Sequence, residues 1–348
     1  MTLLLLDPIT DPRWHRFIER HPASSIFHTP PWLESLQKTY NYKPIAFTTS
    51  AEGEELQNGI VFAEIDSWLT GRRIVSLPFS DHCEPLTRNP AELAAILSQI
   101  EALAPLHKWK YVEIRPLPET TSLLLNSRIP ARESFAFHAL NLQASTDVLF
   151  KSFHKSCIQR KITRAEREGL RCDVGRSKEF LDQFYSLLLI TRRRHQLPPQ
   201  PRAWFQNLCD FFGEKLSIHI VFKDQDPIAT ILTIRHKDTL VYKYGCSDAR
   251  FHKLGGMIHL FWKAIQQAKV QDLQWFDLGR SELSNKGLIE FKSHWGTPLQ
   301  TMSYFRYPSE TEPSDGEGLK LRMLRSACKR MPDSLLELFG NFIYRHVG

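Results

Sequence analysis

The stretch from Ser217 to Leu278 constrains this chain most. Three runs rich in β-branched and aromatic residues follow one another across short polar turns: Ser217 to Phe222, Pro227 to Arg235 and Thr239 to Cys246. Gly255-Gly256 then opens a helical pattern reaching about Ala268, and Leu273 to Leu278 reads as a further strand. Three meandering strands, a helix behind a glycine turn and another strand read as a mixed α/β sheet.

The rest of the chain supplies comparable elements. Helical patterns cover Asp11 to Arg20, Pro30 to Tyr40 and Ala91 to Leu106, with strands at Pro44 to Thr49, Gly59 to Ile65, Arg73 to Leu77, Tyr111 to Arg115 and Phe135 to Leu142. Ser145 or Thr146 caps a long helix that stops at Gly169. Helices at Lys178 to Arg194 and Arg202 to Phe212 flank a proline break, and Leu288 to His294 and Leu299 to Tyr307 read as a helix and a last strand. A length of 348 residues suits two domains. The expected division is 1–144, 145–308, and a polar linker with a basic amphipathic tail at 309–348.

Composition narrows the function classes. The formal charge is +7, with a net +5 across 151–171 and +4 across 319–348, so the remainder is slightly acidic. The tail reads either as a helix packed back on the body or as a contact with an anionic membrane. No apolar run approaches the ~20 residues of a membrane helix. The start carries only four consecutive leucines, which reads as no export signal. Six scattered cysteines without a CxxC pair fit a reducing compartment and argue against a disulfide framework or a cysteine zinc site, so no metal is expected. Walker A, GxGxxG, HExxH and GxSxG patterns are absent.

Several segments carry candidate chemistry. Arg160, Arg164 and Arg167 share one helix face, opposite Ile158, Ile162 and Ala165. Guanidinium forks match phosphate oxygens, although a solvated face accounts for the same pattern. His154-Lys155-Ser156 precedes that face. In Tyr242-Lys243-Tyr244, period two puts both rings on one side. Thr191 to His195 places three arginines at a helix C-terminus, where the dipole favours cations. Gly255 and Gly256 at a helix start suit a phosphate. Asp277 and Arg280 end a strand, and Lys292 sits in an apolar segment where an ion pair with Asp277 or Glu282 is one explanation.

Together these motifs resemble a known family. Ser152-Phe153-His154-Lys155-Ser156, Tyr244-Gly245-Cys246-Ser247-Asp248, Phe276-Asp277-Leu278-Gly279-Arg280, Gly287 to Lys292 and Trp295-Gly296 are similar to the Gcn5-related N-acetyltransferase (GNAT) fold of FemABX-type peptidyltransferases and the FemAB-like acetyltransferase domain. Pro31-Trp32 and Ser76 to Asp81 extend the likeness into the first half. The resemblance implies two tandem GNAT-like domains with mixed sheets, and acyl or aminoacyl transfer from an activated ester to an amine. It places Phe291 and Lys292 by the reacting carbonyl, where a held ammonium stabilises an oxyanion. Asp277 is a candidate proton acceptor and Tyr244 a further catalytic candidate. Lys155, Arg160, Arg164, His154, Ser247, Asp248, Arg280, Gly255, Gly256 and Trp295 are the substrate or phosphate contacts expected.

The expected activity is an N-acyltransferase acting on an envelope-related amine: an amino sugar, an amino lipid or a peptide precursor. No permanently bound cofactor is expected, and the co-substrate is acyl-CoA or aminoacyl-tRNA. The chain lacks the coiled-coil arm of some peptidyltransferases, and its glycine turn departs from the full coenzyme A loop pattern. The alternatives are tRNA-dependent aminoacyl transfer to cell-wall precursors and non-catalytic binding of a polyanion or nucleic acid. The expected location is cytoplasmic, including the inner face of the membrane through 319–348.

Overall fold

The computed structural model of the chain describes residues 2–125, 131–308 and 331–347. In chain order the first elements are β1 (Leu4–Leu6), α1 (Pro12–Arg20), α2 (Pro30–Tyr40), β2 (Lys43–Thr48), β3 (Ile60–Ile65) and β4 (Arg73–Val75). Then come α3 (Pro90–Leu103), β5 (Val112–Ile114), α4 (Pro118–Leu124), β6 (Ala131–Asn141), α5 (Thr146–Ser152) and α6 (Arg160–Arg167). After them follow β7 (Arg171–Gly175), α7 (Lys178–His195), α8 (Arg202–Phe212), β8 (Leu216–Lys223), β9 (Asp226–His236) and β10 (Thr239–Ser247). The last are α9 (Gly256–Val270), β11 (Trp275–Glu282), α10 (Lys286–Ser293), β12 (Gln300–Tyr307) and α11 (Asp333–Val347).

The described residues fall into two compact units. Unit one comprises 2–125, 131–136, 300–308 and 342–347; unit two comprises 137–299 and 331–341. The fold is mixed α+β.

In unit one the strand order is β1-β2-β3-β4-β5-β12. β4 and β5 run parallel, Ile74 opposite Val112, and the other pairs are antiparallel. Four leucines at the chain start carried no strand expectation, yet Leu4–Leu6 pairs with Thr48 to Ala46 as an edge strand. Three residues are too short to show a period; the pairing partner defines them. α3 begins where the Asn89 side chain accepts the Glu92 N–H. Its Leu93, Ile96, Leu97 and Ile100 recur at helical spacing and are buried against Phe47, Phe62 and Phe305. Each such side chain contributes about 1.5–3 kcal/mol of burial. The C-terminal end of α11 is tied into this unit: Arg73 Nη2 donates to the His346 carbonyl at 2.8 Å and Tyr42 Oη donates to the Tyr344 carbonyl at 2.6 Å.

Unit two has the order β6-β11-β10-β9-β8-β7, with β6 contributing its residues from Phe137 on. β8 to β10 form the expected antiparallel meander, β7 pairs antiparallel with β8, and β10 pairs with β11 in parallel. α9 supplies Leu260, Phe261, Ala264 and Ile265 to the core. The long helix expected up to Gly169 is divided. Phe153 turns extended (ψ 151°) and buries its ring against Trp262 and Trp295. His154 then caps a π-helical turn, Lys155–Gln159, which leads into α6. The aromatic anchor wins over helix continuity.

Within unit two, α11 packs its inner side closely: Leu336 is fully buried, and a Cβ on Gly340 would stand 2.0 Å from the Pro199 carbonyl oxygen. The described part of the tail is therefore a packed helix, with Leu335, Leu338 and Phe342 left exposed on it. The linker 309–318 and the basic stretch 319–330 lie outside the described residues.

Candidate active site

Unit two contains a cleft of about 800 Å³ where β10 ends and α9 begins. Three local features shape it. The first is a bulge in β10. Its register on β9 passes from Tyr242–Thr233 to Tyr244–Leu232, so Lys243 is an additional residue. Tyr242 and Tyr244 therefore do not share a side, as period two predicts. Tyr242 lines the cleft and packs on Phe261 of α9 at 4.8 Å. Tyr244 packs on Phe184 and Phe205 of α7 and α8, and its oxygen accepts from Trp204 Nε1 at 2.8 Å and Gln200 Nε2 at 3.0 Å. Tyr244 is a core residue outside the cleft lining.

The second feature is the glycine turn. Gly255 has φ +79°, and a Cβ there would press on the Lys161 carbonyl at 3.1 Å. At Gly256 a Cβ would meet Val221 at 3.0 Å and Ile228 at 3.2 Å, so the helix start sits directly on β8 and β9. Its N-cap residue, Gly255, offers this fifteen-residue helix no side-chain cap. Its first N–H groups and its dipole leave the N-terminus suited to an anion.

The third feature is the end of α7. Thr191 Oγ1 accepts the Ser247 N–H at 2.9 Å and donates to the Ser247 carbonyl at 3.2 Å, which holds the end of β10. One turn on, Arg194 reaches the cleft. Its Nη1 donates to the Ser247 carbonyl at 3.2 Å and to His252 Nε2 at 3.1 Å. Arginine can only donate, so Nε2 is the acceptor nitrogen of a neutral His252 ring. Ser247 Oγ lies 2.9 Å from the same nitrogen. Burial first, then Arg194, lowers the His252 pKa against the opposing pull of Asp248. Asp248 also lines the cleft, but its carboxylate is held by Arg250, which lowers its pKa. Lys161 and Arg194 also line the cleft. The other two arginines of the run go elsewhere: Arg192 to Gln200 Oε1 and Arg193 to the Met331 carbonyl.

Of the residues expected from sequence, the cleft collects Phe291, Ser247, Asp248, Gly255 and Gly256. Lys292 is 2% exposed and points to β11 rather than the cleft; its Nζ donates to the Gly279 and Arg280 carbonyls, both at 2.9 Å. Asp277 is buried too and accepts the Gly279 N–H at 2.7 Å. Lys292 and Asp277 thus grip the same positive-φ turn at Gly279. Arg280 contributes its carbonyl there. His138 stands close by, with Nε2 3.1 Å from Ser293 Oγ; burial and the Lys292 ammonium push its pKa down to about 4.

Trp295 is wholly buried, stacked on Phe261 at 5.5 Å and edge-on to Phe153 at 5.0 Å, so it is a core residue rather than a substrate contact. Lys155, Arg160 and Arg164 are exposed and outside the cleft lining; Arg164 pairs with Glu168 at 3.6 Å, as a solvated face does. His154 accepts the Cys157 N–H at Nδ1. Sequence reasoning does not select Lys161, Arg194, Tyr242 or His252 as site residues, although each lies in a segment it names. Only the bulge and the broken helix decide which of their neighbours face inward.

Residues 152–293 match the Acetyltransferase (GNAT) domain family. That segment is a GNAT domain. It holds the cleft, and the acyltransferase expectation stands on it. Solved structures extend the likeness across the chain. FemX aligns at a TM-score of 0.67 and 14% identity, over 88% of this chain and 97% of that one. L-PGS from Bacillus licheniformis aligns at 0.56 and 15%, over 92% and 98%. A tandem GNAT protein from the clavulanic acid biosynthesis pathway aligns at 0.53 and 11%, over 90% and 99%. These chains share their fold with this one, and the last of them is a tandem GNAT protein. No curated protein sequence matches it.

Proposed function

We propose that the cleft transfers an acyl group from a coenzyme A thioester to the amine of an envelope-related acceptor. One observation carries the donor assignment: the uncapped N-terminus of α9 opens into the cleft beside Lys161 and Arg194. A diphosphate bound there satisfies the helix amides and both cations at once. The acyl arm then runs along the end of β10 towards Tyr242 and Phe291, which supply apolar wall.

In the transfer, the acceptor nitrogen bonds to the thioester carbonyl carbon and loses a proton, while the sulfur leaves and gains one. Lys292 acts through position: its grip on the Gly279 turn fixes the end of β11 and leaves Phe291, one residue earlier, to face the cleft. This replaces the direct oxyanion contact expected from the resemblance. Mass spectrometry of ligand that co-purifies with the protein, followed by a donor screen, tests the reading. A bound coenzyme A species supports it; stabilisation by charged tRNA and by no thioester favours aminoacyl transfer instead. RNA binding with a steep salt slope and no transfer favours the polyanion reading.

A lipid acceptor has support of its own. One similar structure is the C-terminal domain of a putative lysylphosphatidylglycerol synthetase from Agrobacterium fabrum, with a TM-score of 0.55 at 12% identity. In unit one Trp68 is 79% exposed at a turn tip, with Leu69 beside it, and its ring lies 6.5 Å from that of Phe342 on α11. Exposed tryptophan with leucine and phenylalanine suits a membrane interface. Among the described residues no helix is long and apolar enough to cross a membrane.

A further inference from the structure

Outside the cleft lining, the packing of unit two brings three metal-type donors together. Phe153 and Trp295 meet edge to face at 5.0 Å in the core. Their chain neighbours His154 and His294 consequently meet at the surface, with ring centroids 4.4 Å apart. The His154 N–H donates to the His294 carbonyl at 2.8 Å and staples the two segments. Gly296, at φ +73°, lets the second segment lie close to Ser152. Cys157 stands three residues after His154 on the π-helical turn, a local geometry frequent at functional sites. One nitrogen of each imidazole and the Cys157 sulfur lie within 4.8 Å of one another.

We propose that His154, Cys157 and His294 bind a divalent transition-metal ion, zinc being the ion that two imidazoles and one thiolate fit. In a tetrahedral zinc site with nitrogen at ~2.0 Å and sulfur at ~2.3 Å, donors stand about 3.3–3.8 Å apart. Binding requires the donors to close by about 1 Å to reach that spacing. The cysteine S–H gives its proton to solvent as the S–Zn bond forms. His154 Nδ1 now holds the Cys157 N–H at 3.1 Å, so the ion competes with that hydrogen bond for the ring. The site is adaptable rather than preformed, and His154 is exposed, which leaves the fourth position to water. Sequence spacing does not reveal it, because the third donor comes from a segment distant in the chain.

The test uses the full chain, stripped of metal by a chelator and titrated with cobalt(II). The expected result is one equivalent of tetrahedral cobalt with a sulfur-to-metal charge-transfer band, displaced by zinc. Cys157→Ser abolishes that band without changing the metal-free melting temperature. His294→Ala weakens zinc binding by more than ~10-fold, and Cys172→Ser leaves it unchanged. A wild-type protein with no thiolate band, or a band that survives Cys157→Ser, overturns the proposal.

Discussion

Gly245→Ala probes the cleft wall directly. A Cβ at this position would lie 2.0 Å from Tyr242 Oη, 2.9 Å from Cζ and 3.1 Å from Cε2. Ordinary contact begins at 3.4 Å, so the tyrosine ring has to retreat by about 1.4 Å. Behind it stands Phe261, fully buried, at a centroid distance of 4.8 Å. Overpacking of this kind costs about 1–3 kcal/mol. Tyr242→Phe removes the nearest atom and leaves a shortfall of about 0.5 Å at Cζ, measured against the same 3.4 Å. The alanine therefore costs less in the phenylalanine background. Urea denaturation of the two single variants and the double variant reads this as a coupling of about 0.5–3 kcal/mol. At about 2–4 °C per kcal/mol, a thermal scan resolves the same effect. If Gly245→Ala is as stable as the parent, or equally costly with and without the Tyr242 hydroxyl, the ring does not fold over the strand end.

Three further expectations follow from other contacts. Lys292→Ala removes two hydrogen bonds to the Gly279 turn and lowers kcat more than it raises KM, with Lys292→Arg restoring part of the rate; an unchanged kcat contradicts a positioning role. His138 and His219 are held neutral by burial, with pKa values pushed down to about 4, below the ordinary value of an unfolded chain. The unfolded state then binds more protons between pH ~6.5 and ~4, so stability is intact above this window and falls as pH drops through it. His219→Gln flattens that fall in urea midpoints measured across pH, and an unaltered slope refutes the assignment. Trp68→Ser weakens sedimentation with phosphatidylglycerol vesicles by about tenfold, the effect of losing one large apolar side chain; equal binding by both proteins removes the tip from any membrane contact.

Much of unit two is legible in the chain itself. The β8-β9-β10 meander alternates and is bounded by turns, and α9 opens at Gly255-Gly256 as the pattern predicts. Phe291, Ser247 and Asp248 reach the cleft because they close or follow strands and helices whose ends cluster there. What escaped depended on one-residue events. The bulge at Lys243 separates Tyr242 from Tyr244, and a single inserted residue leaves no mark on a period of two. Phe153 breaks the helix after Ser152 because its ring finds Trp262 and Trp295, partners far along the chain. Charge misled in the same way. The densest arginine face, with Arg160 and Arg164, is solvated, while Arg194 reaches the cleft from a run that a helix dipole already explains. The resemblance puts Lys292 at the reacting carbonyl, whereas its apolar segment alone calls only for a partner. Two backbone carbonyls of β11 are among those partners.

Calorimetric titration of coenzyme A into the full chain and into Arg194→Gln tests whether the cleft takes a coenzyme A donor. Arg194 loses one charge-assisted contact to phosphate, worth about 1.5–3 kcal/mol, which corresponds to roughly 10–150-fold in Kd. One-to-one binding by the parent protein and that much weakening in the folded variant are expected. Absence of coenzyme A binding, or equal affinity in the two proteins, contradicts the donor assignment.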